Sequence, residues 1–307
     1  MYNISVHRVK GGYSGVIRGS TQNCCNKTNS HPAFPASYPY YIRLDEEGSL
    51  LELDLIPMDY SKLAGCIKDF RGVHANGIED PRLFTYGGEQ WCIGNCLGSA
   101  QQAHPCVNAM CIFKMSHPRE TFKILTPPLG INPLQQQKNW SPFEWEGKLL
   151  CEYSLQPHLV LEIDCESGST REHSTSGEMT KSISCLDSLR GGAPPILLRE
   201  PDLYLGIGHT YPTRASGYMH FFYTFENKPP FKIVAISEIF KLDKRENIQF
   251  AAGLSQYEND IYVSYGVNDC FNRIACYSKE NVMKLLANRS GVYPAVKTDS
   301  VLASDPM

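Results

Sequence analysis

The sequence lacks the features that mark several large classes of protein. It has no apolar run of about 18 residues, the length that a membrane-spanning helix requires. It has no block of lysine or arginine, and its 29 basic residues are outnumbered by 32 acidic ones, giving a formal net charge of −3. We therefore expect a protein that binds neither nucleic acid nor a membrane surface. The first residues show no charged region followed by an apolar one, so we expect no secretory signal and a cytoplasmic location.

Clustered metal ligands are also missing, although cysteine is abundant. The closest pairs among the twelve cysteines are Cys24-Cys25, Cys92-x3-Cys96 and Cys106-x4-Cys111, and none is a C-x2-C pair answered by a second one. The nine histidines are scattered without ligand spacing. We therefore expect reduced, mostly buried thiols and no metal.

The short signatures of several common enzyme classes are absent. The sequence has no Gly-x-Ser-x-Gly elbow and no His-Glu-x-x-His pair, which argues against an α/β-hydrolase and a zinc protease of that type. It also has no phosphate-binding loop or dinucleotide fingerprint with the required spacing and helix. We therefore expect no cofactor.

Short apolar or alternating runs separated by turn residues dominate the chain. With 24 glycines and 20 prolines, runs such as Tyr40-Tyr41-Ile42-Arg43-Leu44 and Leu159-Val160-Leu161-Glu162-Ile163 are five or six residues long. This pattern, with almost no helical periodicity, predicts an all-β fold. One helix is expected near the end, where Ser278 can cap a segment in which Val282, Leu285 and Leu286 share a face.

Polar clusters recur at a spacing that suits repeated sheets. The clusters start about 50–75 residues apart, which leaves room for about four short strands in each interval. We therefore predict a five-bladed β-propeller over residues 1–290, with a loose tail over 291–307; a β-sandwich or jelly roll is the alternative. A propeller would bring these clusters to one axis. The clusters span residues 3–18, 77–82, 138–143, 190–195 and 265–269.

One cluster combines two carboxylates with a guanidinium. In Gly77-Ile78-Glu79-Asp80-Pro81-Arg82-Leu83, the proline disfavours a helical Asp80 and favours an extended one. A carboxylate held at a loop tip over a cavity can act as a general acid or base. The same residues fit an ordinary Asp-Pro turn with a local ion pair, and by themselves they favour that interpretation.

Two further clusters could bind an anion. Lys138-Asn139-Trp140 offers a charge, an amide and an indole that could stack on a sugar, or simply a loop whose tryptophan packs in the core. Arg190-Gly191-Gly192 could bring backbone amides close to an anion, and His209 ends a strand shortly after it. A lone histidine is more often structural. Asp269 follows another strand end, in an ordinary turn or over a substrate hydroxyl.

Taken in order, these clusters resemble glycoside hydrolase family 130, which comprises β-mannoside phosphorylases and some β-mannosidases. They are also similar to the related β-1,2-mannosyltransferases and phosphorylases of glycosyltransferase family 108. The resemblance extends over about residues 3–270. It rests on Glu79-Asp80-Pro81-Arg82, Lys138-Asn139-Trp140 with Pro142-Phe143, Gly191-Gly192-Ala193-Pro194-Pro195, Gly208-His209-Thr210, and Tyr265-Gly266 followed by Asp269.

The resemblance implies an inverting reaction at the anomeric carbon of mannose in the axial funnel of a five-bladed propeller. It implies that Asp80 is the general acid, acting through a hydroxyl of the bound mannose while phosphate attacks from the opposite face. The site residues follow from the matching positions. Phosphate would be held by Lys138, Asn139, Arg190 and His209, and the sugar by Asn3, Arg18, Arg82, Trp140 and Asp269.

The residue types favour phosphate over water as the nucleophile. A hydrolase needs a second carboxylate to activate water, whereas phosphate arrives as an anion and needs cations. Lys138, Arg190 and His209 could supply them, while Glu144, Glu146 and Glu152 are the possible second carboxylates. The expected partners are a small carbohydrate and inorganic phosphate or mannose 1-phosphate, with a possible homo-oligomer.

Three other functions stay open at this stage. The phosphorylases usually carry arginine where this chain has Lys138, and lysine lacks the bidentate fork. A β-1,2-mannosyltransferase with a nucleotide-mannose donor would use the same anion site for a diphosphate. A β-mannosidase would need the second carboxylate, and a non-catalytic carbohydrate-binding propeller would need neither.

Overall fold

A computed structural model describes residues 1–20, 37–58, 73–100, 107–131, 137–177, 189–213 and 216–287. Within these residues the chain is nearly all β, as predicted, with nineteen strands and two short helices. Neither helix of this part of the chain has the length and apolar character needed to cross a membrane. The predicted tail over 291–307 lies outside the described residues.

The first sheet has eight strands and consists of two antiparallel meanders joined by a single parallel bridge between Ser37 and Gly77. Gly77 is required there: its φ is +92°, and a Cβ atom would lie 1.8 Å from the carbonyl oxygen of Ser37. The first meander contains β1 (Tyr2–Val9), β2 (Gly12–Ser20), β3 (Ser37–Leu44) and β4 (Leu50–Leu55). The second contains β5 (Val73–Tyr86), β6 (Glu89–Ala100), β7 (Val107–Lys114), helix α1 (Pro118–Thr121) and β8 (Lys123–Ile124).

Three further sheets follow, and each is an antiparallel meander of consecutive strands. The third meander contains β9 (Ser141–Trp145), β10 (Lys148–Leu155), β11 (His158–Ile163) and β12 (Thr170–Ser176). The fourth contains β13 (Ile196–Leu198), β14 (Leu203–Thr210), β15 (Met219–Glu226) and β16 (Ile233–Ile236). The fifth contains β17 (Gln249–Tyr257), β18 (Asp260–Val267) and β19 (Phe271–Ser278), followed by helix α2 (Lys279–Ala287).

Hydrophobic clusters fill the spaces between successive meanders. Val16 packs with residues of the second meander, Trp91 with the third, Phe143 with the fourth, and Leu205 with the fifth. A further cluster joins the fifth meander to the first, where Ile274 packs with residues of β1, β2 and β3. The series of contacts therefore returns to the meander where it began.

Polar side chains of the fifth meander also bind the backbone of β1. The amides of Ile4 and Val6 donate to the side-chain oxygens of Asn272 and Ser264, at 3.1 and 3.0 Å. These bonds satisfy buried backbone groups that have no strand partner on that side. They also fix the start of β1 beside the turn that follows β18.

The C-terminal helix matches its prediction. The hydroxyl of Ser278 accepts a 3.2 Å hydrogen bond from the amide of Asn281, and Val282 and Leu286 are buried. The expectation of reduced thiols holds for six described cysteines but is wrong for Cys270, which is disulfide-bonded. No group of three or more His, Cys, Asp or Glu side chains within the described ranges could hold a metal.

Candidate active site

Asp80 lies on a β-bulge rather than in a turn. Along β5 and β6, Glu79 pairs with Asn95 and Arg82 pairs with Ile93, so β5 carries one residue more than its partner. Asp80 has a φ of +49°, so the expectation of extended geometry before Pro81 is wrong. Consecutive residues of a regular strand point to opposite faces, but the bulge brings the carboxylates of Glu79 and Asp80 to one guanidinium.

That guanidinium belongs to Arg18. One of its nitrogens lies 3.4 Å from Oδ1 of Asp80, and the other forms an ion pair with Glu79. The rest of the side chain is also held: Nε donates to Ser37 at 3.0 Å, and the guanidinium carbon lies 4.6 Å from the ring centre of Tyr2. Arg18 is thus fixed between two neighbouring carboxylates.

Asp80 is bound through one of its two oxygens. Asn3 donates from Nδ2 to Oδ1 at 2.6 Å, and Arg18 approaches the same atom. No side chain or amide of the described part of the chain hydrogen-bonds to Oδ2, and the side chain of Asp80 is 26% exposed. The carboxylate is therefore oriented by Oδ1 and presents Oδ2 for a proton or a ligand.

The turn after β18 brings a third carboxylate to the same place. Burial raises the pKa of Asp269, the charge of Asp80 raises it further, and Arg18 lowers it. Gly266 permits this approach, because a Cβ atom there would lie 1.9 Å from Oδ1 of Asn3. Asn3 is therefore bonded directly to Asp80, and Asp269 lies near enough to interact with Asp80 electrostatically.

The predicted anion-binding residues also converge. A Cβ atom on Gly191 would lie 2.7 Å from the carbonyl oxygen of Asn139, so this glycine lets its turn pack against the start of the third meander. Arg190 and His209 exchange two backbone hydrogen bonds, of 3.0 and 2.9 Å. Electrostatic interactions join this group to the acidic one: the charge of Lys138 lowers the pKa of Glu79, although burial raises it overall.

His209 is neutral in this environment. Burial lowers its pKa to about 4, the charge of Arg190 lowers it further, and Asp80 opposes the shift. Its Nδ1 has no hydrogen-bond partner in the described structure. The expectation that His209 is a cation is therefore corrected, since at neutral pH it can offer a hydrogen bond but not a charge.

Two expected sugar contacts are buried. Trp140 is 1% exposed and packs edge-to-face on Tyr153, with ring centres 5.3 Å apart. Arg82 is 2% exposed and donates to the carbonyl of Gly192, which also accepts from Ser141 at 3.3 Å. We reassign Trp140 and Arg82 to structural roles, because neither offers a surface to a sugar.

The three glutamates named as second carboxylates are engaged elsewhere. Glu152 is buried, accepts a hydrogen bond from Tyr223, and is hydrogen-bonded to Nε2 of His158. Glu144 accepts a 2.9 Å bond from the amide of Gly87, and Glu146 lies in the β9–β10 turn with a φ of +48°. The carboxylates that accompany Asp80 are instead Glu79 and Asp269.

Strained backbone conformations concentrate in this site. Eight described residues other than glycine have positive φ, and five of them belong to the converging clusters. Such conformations cost about 1–3 kcal/mol each and persist where the surrounding structure enforces them. The five are Asn3, Asp80, Asn139, Asn268 and Asp269.

Two residues at the site could not be predicted from sequence patterns. Glu79 directly precedes Asp80 in the sequence. Because successive side chains of a regular strand point to opposite faces, Glu79 would be expected on the other face of the sheet. Tyr218 precedes β15 in an ordinary apolar run; burial raises its pKa, and the charges of Arg190, Asp269 and Asp80 all act on it. No local pattern distinguishes Tyr218 from a core tyrosine.

Comparisons with solved structures identify the fold. No family model matches the chain, and no curated protein matches it by sequence. The chain is similar to the β-1,2-mannobiose phosphorylase of Listeria innocua in complex with β-1,2-mannobiose, with a TM-score of 0.58, 15% identity, and 93% of this chain and 91% of that chain covered.

Two other solved structures show the same likeness. A glycosyl hydrolase from Bacteroides ovatus has a TM-score of 0.60 at 13% identity, covering 91% of this chain and 84% of its own. A structure from the GH130 family of mannoside phosphorylases, which contains hydrolases that target β-1,2-mannosidic linkages in Candida mannan, has a TM-score of 0.58 at 14% identity, with the same coverage. The chain therefore has a GH130-like fold.

Proposed function

We propose that this protein is an inverting glycoside phosphorylase that transfers mannose reversibly between an acceptor sugar and phosphate through mannose 1-phosphate. The observation that carries the proposal is the coordination of Asp80. Its carboxylate has described partners on Oδ1 alone, and its charge acts on His209, which belongs to the group that also contains Lys138, Asn139 and Arg190. Phosphorolysis requires an acid and an anion site that act on the same sugar, and these residues would supply both. The GH130-like fold supports the choice of β-mannosides.

The site belongs, in this proposal, to a five-bladed propeller. Each meander would be one blade, and the hydrophobic clusters that link neighbouring meanders support this, because the fifth cluster joins the last meander to the first. In such a ring the inner strands converge on one axis. Asn3, Asp80, Asn139 and Asp269 would then come from different blades and line one funnel.

The proposed reaction uses the free oxygen of Asp80. In the direction of phosphorolysis, the proton on Oδ2 passes to the glycosidic oxygen, through a hydroxyl of the bound mannose as the family resemblance implies. An oxygen of phosphate forms the new bond to the anomeric carbon while the glycosidic bond breaks. Attack from the opposite face inverts the configuration.

The anion would be held by two cations and two neutral groups. Lys138 and Arg190 supply charge, whereas Asn139 and neutral His209 supply hydrogen bonds. Asn3, Arg18 and Asp269 would bind the mannose. No cofactor or metal enters the scheme.

Hydrolysis is the second candidate, and one observation favours it. Asp269 is a half-buried carboxylate whose pKa is raised by burial and by the charge of Asp80, and a β-mannosidase needs a second carboxylate to activate water. Asp269 would supply that second carboxylate in place of Glu144, Glu146 or Glu152. Transfer from a nucleotide-mannose donor would use the same anion group.

The test is to incubate the protein with mannose 1-phosphate and a panel of acceptor sugars and to measure phosphate release. We expect release that depends on the acceptor, and consumption of β-1,2-mannobiose that depends on added phosphate. Consumption of the disaccharide without phosphate would establish the hydrolase. Activity with GDP-mannose alone would establish the transferase, and sugar binding without turnover would leave a binding protein.

A further inference from the structure

A second residue controls the proposed acid. We propose that Glu79 is a positioning residue that acts through Arg18, fixing the carboxyl group of Asp80 and keeping its proton-donating form available. This inference rests on the proposed function, in which Asp80 gives a proton. It assigns a role to a carboxylate that the family resemblance did not place in the site.

The geometry makes Arg18 a rigid link between the two acids. Ser37 binds its Nε, Tyr2 lies against its guanidinium, and its remaining nitrogens reach Glu79 and Asp80. The side chains of Arg18 and Glu79 are only 8% and 17% exposed, so water screens the pair weakly. Loss of Glu79 would release one end of Arg18, whose other end orients Oδ1 of Asp80.

The charges explain why a glutamate is needed. A guanidinium beside a carboxylate stabilises the ionised form, which is the wrong form for a general acid. The negative charge of Glu79 offsets that of Arg18 and repels a second negative charge on Asp80. Burial, together with the charge of Asp80, raises the pKa of Glu79, and Arg18 opposes that shift.

Other groups also act on Asp80, but among the described carboxylates it is Glu79 that shares an ion-pair partner, Arg18, with it. Asp269 adds negative charge from the fifth meander, Arg82 adds positive charge from β5, and His209 is neutral. In the described part of the chain, the charged and titratable groups that interact electrostatically with Asp80 or Glu79 are Arg18, Arg82, Lys138, His209, Tyr218 and Asp269.

The first experiment replaces Glu79 by glutamine, which keeps the shape and removes the charge. A reaction that needs a protonated acid loses activity as the pH rises through the pKa of that acid. We expect Glu79→Gln to move this fall to lower pH by about one unit, the size of shift that one nearby charge produces. At a pH above both falls, kcat would then drop about tenfold, with little change in KM.

Two variants separate charge from position. Glu79→Asp keeps the charge but shortens the reach to Arg18, so we expect lower kcat with a smaller movement of the pH profile. Glu52→Gln removes a glutamate from an exposed ion pair with Arg43 and should leave the profile unchanged. A Glu79→Gln profile that keeps its wild-type position would overturn the proposal, however low the activity.

A spectroscopic titration tests the proposal without substrate. Protein labelled with 13C at the aspartate carboxyl groups gives a signal for Asp80 that is assigned by its loss in Asp80→Asn. We expect Glu79→Gln to lower the titration midpoint of that signal by about one pH unit. An unchanged midpoint would refute the role of Glu79, whereas inactivity of the wild-type protein towards every mannoside would refute only the proposed function.

Discussion

Two carboxylates of this protein, Glu152 and Asp80, differ in how many of their oxygens are hydrogen-bonded within the protein. Glu152 is fully satisfied: Nε2 of His158 lies 2.8 Å from Oε1, and Tyr223 donates to Oε2 at 2.8 Å. His158 is itself held by the carbonyl oxygen of Phe231, at 2.7 Å from Nδ1. Within the described residues, Asp80 has partners on Oδ1 alone, and it lies on a strained bulge.

The comparison separates a structural acid from a chemical one. Every oxygen of Glu152 is used within the protein, and the residue is 1% exposed, so it has nothing left to offer a ligand. Asp80 keeps one oxygen available, and the backbone strain around it is stabilised by the rest of the fold. Mutation of Asp80 should therefore affect activity more than stability, and mutation of Glu152 should affect stability more than activity.

The largest effect is expected from Asp80→Asn. Asparagine keeps the shape and can still meet Asn3 and Arg18, but it cannot give up the proton that the reaction needs. We expect kcat to fall by about 100-fold or more, the usual contribution of a general acid. The midpoint of thermal unfolding should stay within a few degrees of the wild type.

Steady-state kinetics and differential scanning fluorimetry measure the two quantities on the same preparation. Glu52→Gln provides a variant with a similar charge change on the surface. Activity of Asp80→Asn within tenfold of the wild type would show that another group delivers the proton.

The next largest effect is expected from Glu152→Ala, which should reduce stability rather than activity. Loss of the carboxylate leaves His158 and Tyr223 buried without their partner, and breaking a buried pair costs about 3–5 kcal/mol. We expect the free energy of unfolding to fall by that amount, while kcat per folded molecule stays close to the wild type. Urea denaturation followed by fluorescence measures the change.

Tyr223→Phe is the milder companion to Glu152→Ala, since it removes one hydrogen bond to Glu152 and should cost about 1 kcal/mol. A Glu152→Ala protein that is as stable as the wild type but inactive would place Glu152 in the chemistry and reverse the assignment.

Composition and turn chemistry predicted much of the fold. Runs such as Tyr40–Leu44 form strands because β-branched and aromatic residues favour strands, and because the turn residues around these runs leave them too short for a helix. The helix after Ser278 followed from its cap and from the spacing of Val282 and Leu286. The individual contacts between the first and fifth meanders could not be predicted, since they join residues such as Ile4 and Ile274 that lie at opposite ends of the chain.

In the site, too, local motifs could be predicted from the sequence, whereas features that depend on strand pairing and burial could not. Asp80 and Asp269 could be named from their motifs, but the bulge that places Glu79 beside Asp80 depends on the register of β5 against β6. Burial decided the roles of Trp140 and His209. Sequence patterns do not say which indole faces the core or which imidazole loses its charge.

An effect smaller than that of Glu152→Ala concerns His220, which lies opposite His209 on the neighbouring strand, with ring centres 6.4 Å apart. It is fully buried, and neither ring nitrogen has a partner in the described structure. Burial lowers its pKa to about 3, with a further contribution from His209. Unlike Glu152, this titratable group is buried without hydrogen bonds, so it should make the fold sensitive to acid.

The direction in which stability changes with pH follows from the number of protons that the folded and unfolded chains bind. The pKa of His220 is lower in the folded state than its ordinary value of 6.5. As the pH falls below 6.5, His220 therefore binds a proton in the unfolded chain but stays neutral in the folded chain. Stability is therefore complete above that pH and is lost on acidification, by about 2 kcal/mol between pH 7.5 and 5 for this group. His220→Gln should reduce the acid sensitivity of the free energy of unfolding by that amount, and His117→Gln, at an exposed position, should not. Equal slopes for His220→Gln and the wild type in urea denaturation at the two pH values would mean that His220 takes up its proton in the folded protein.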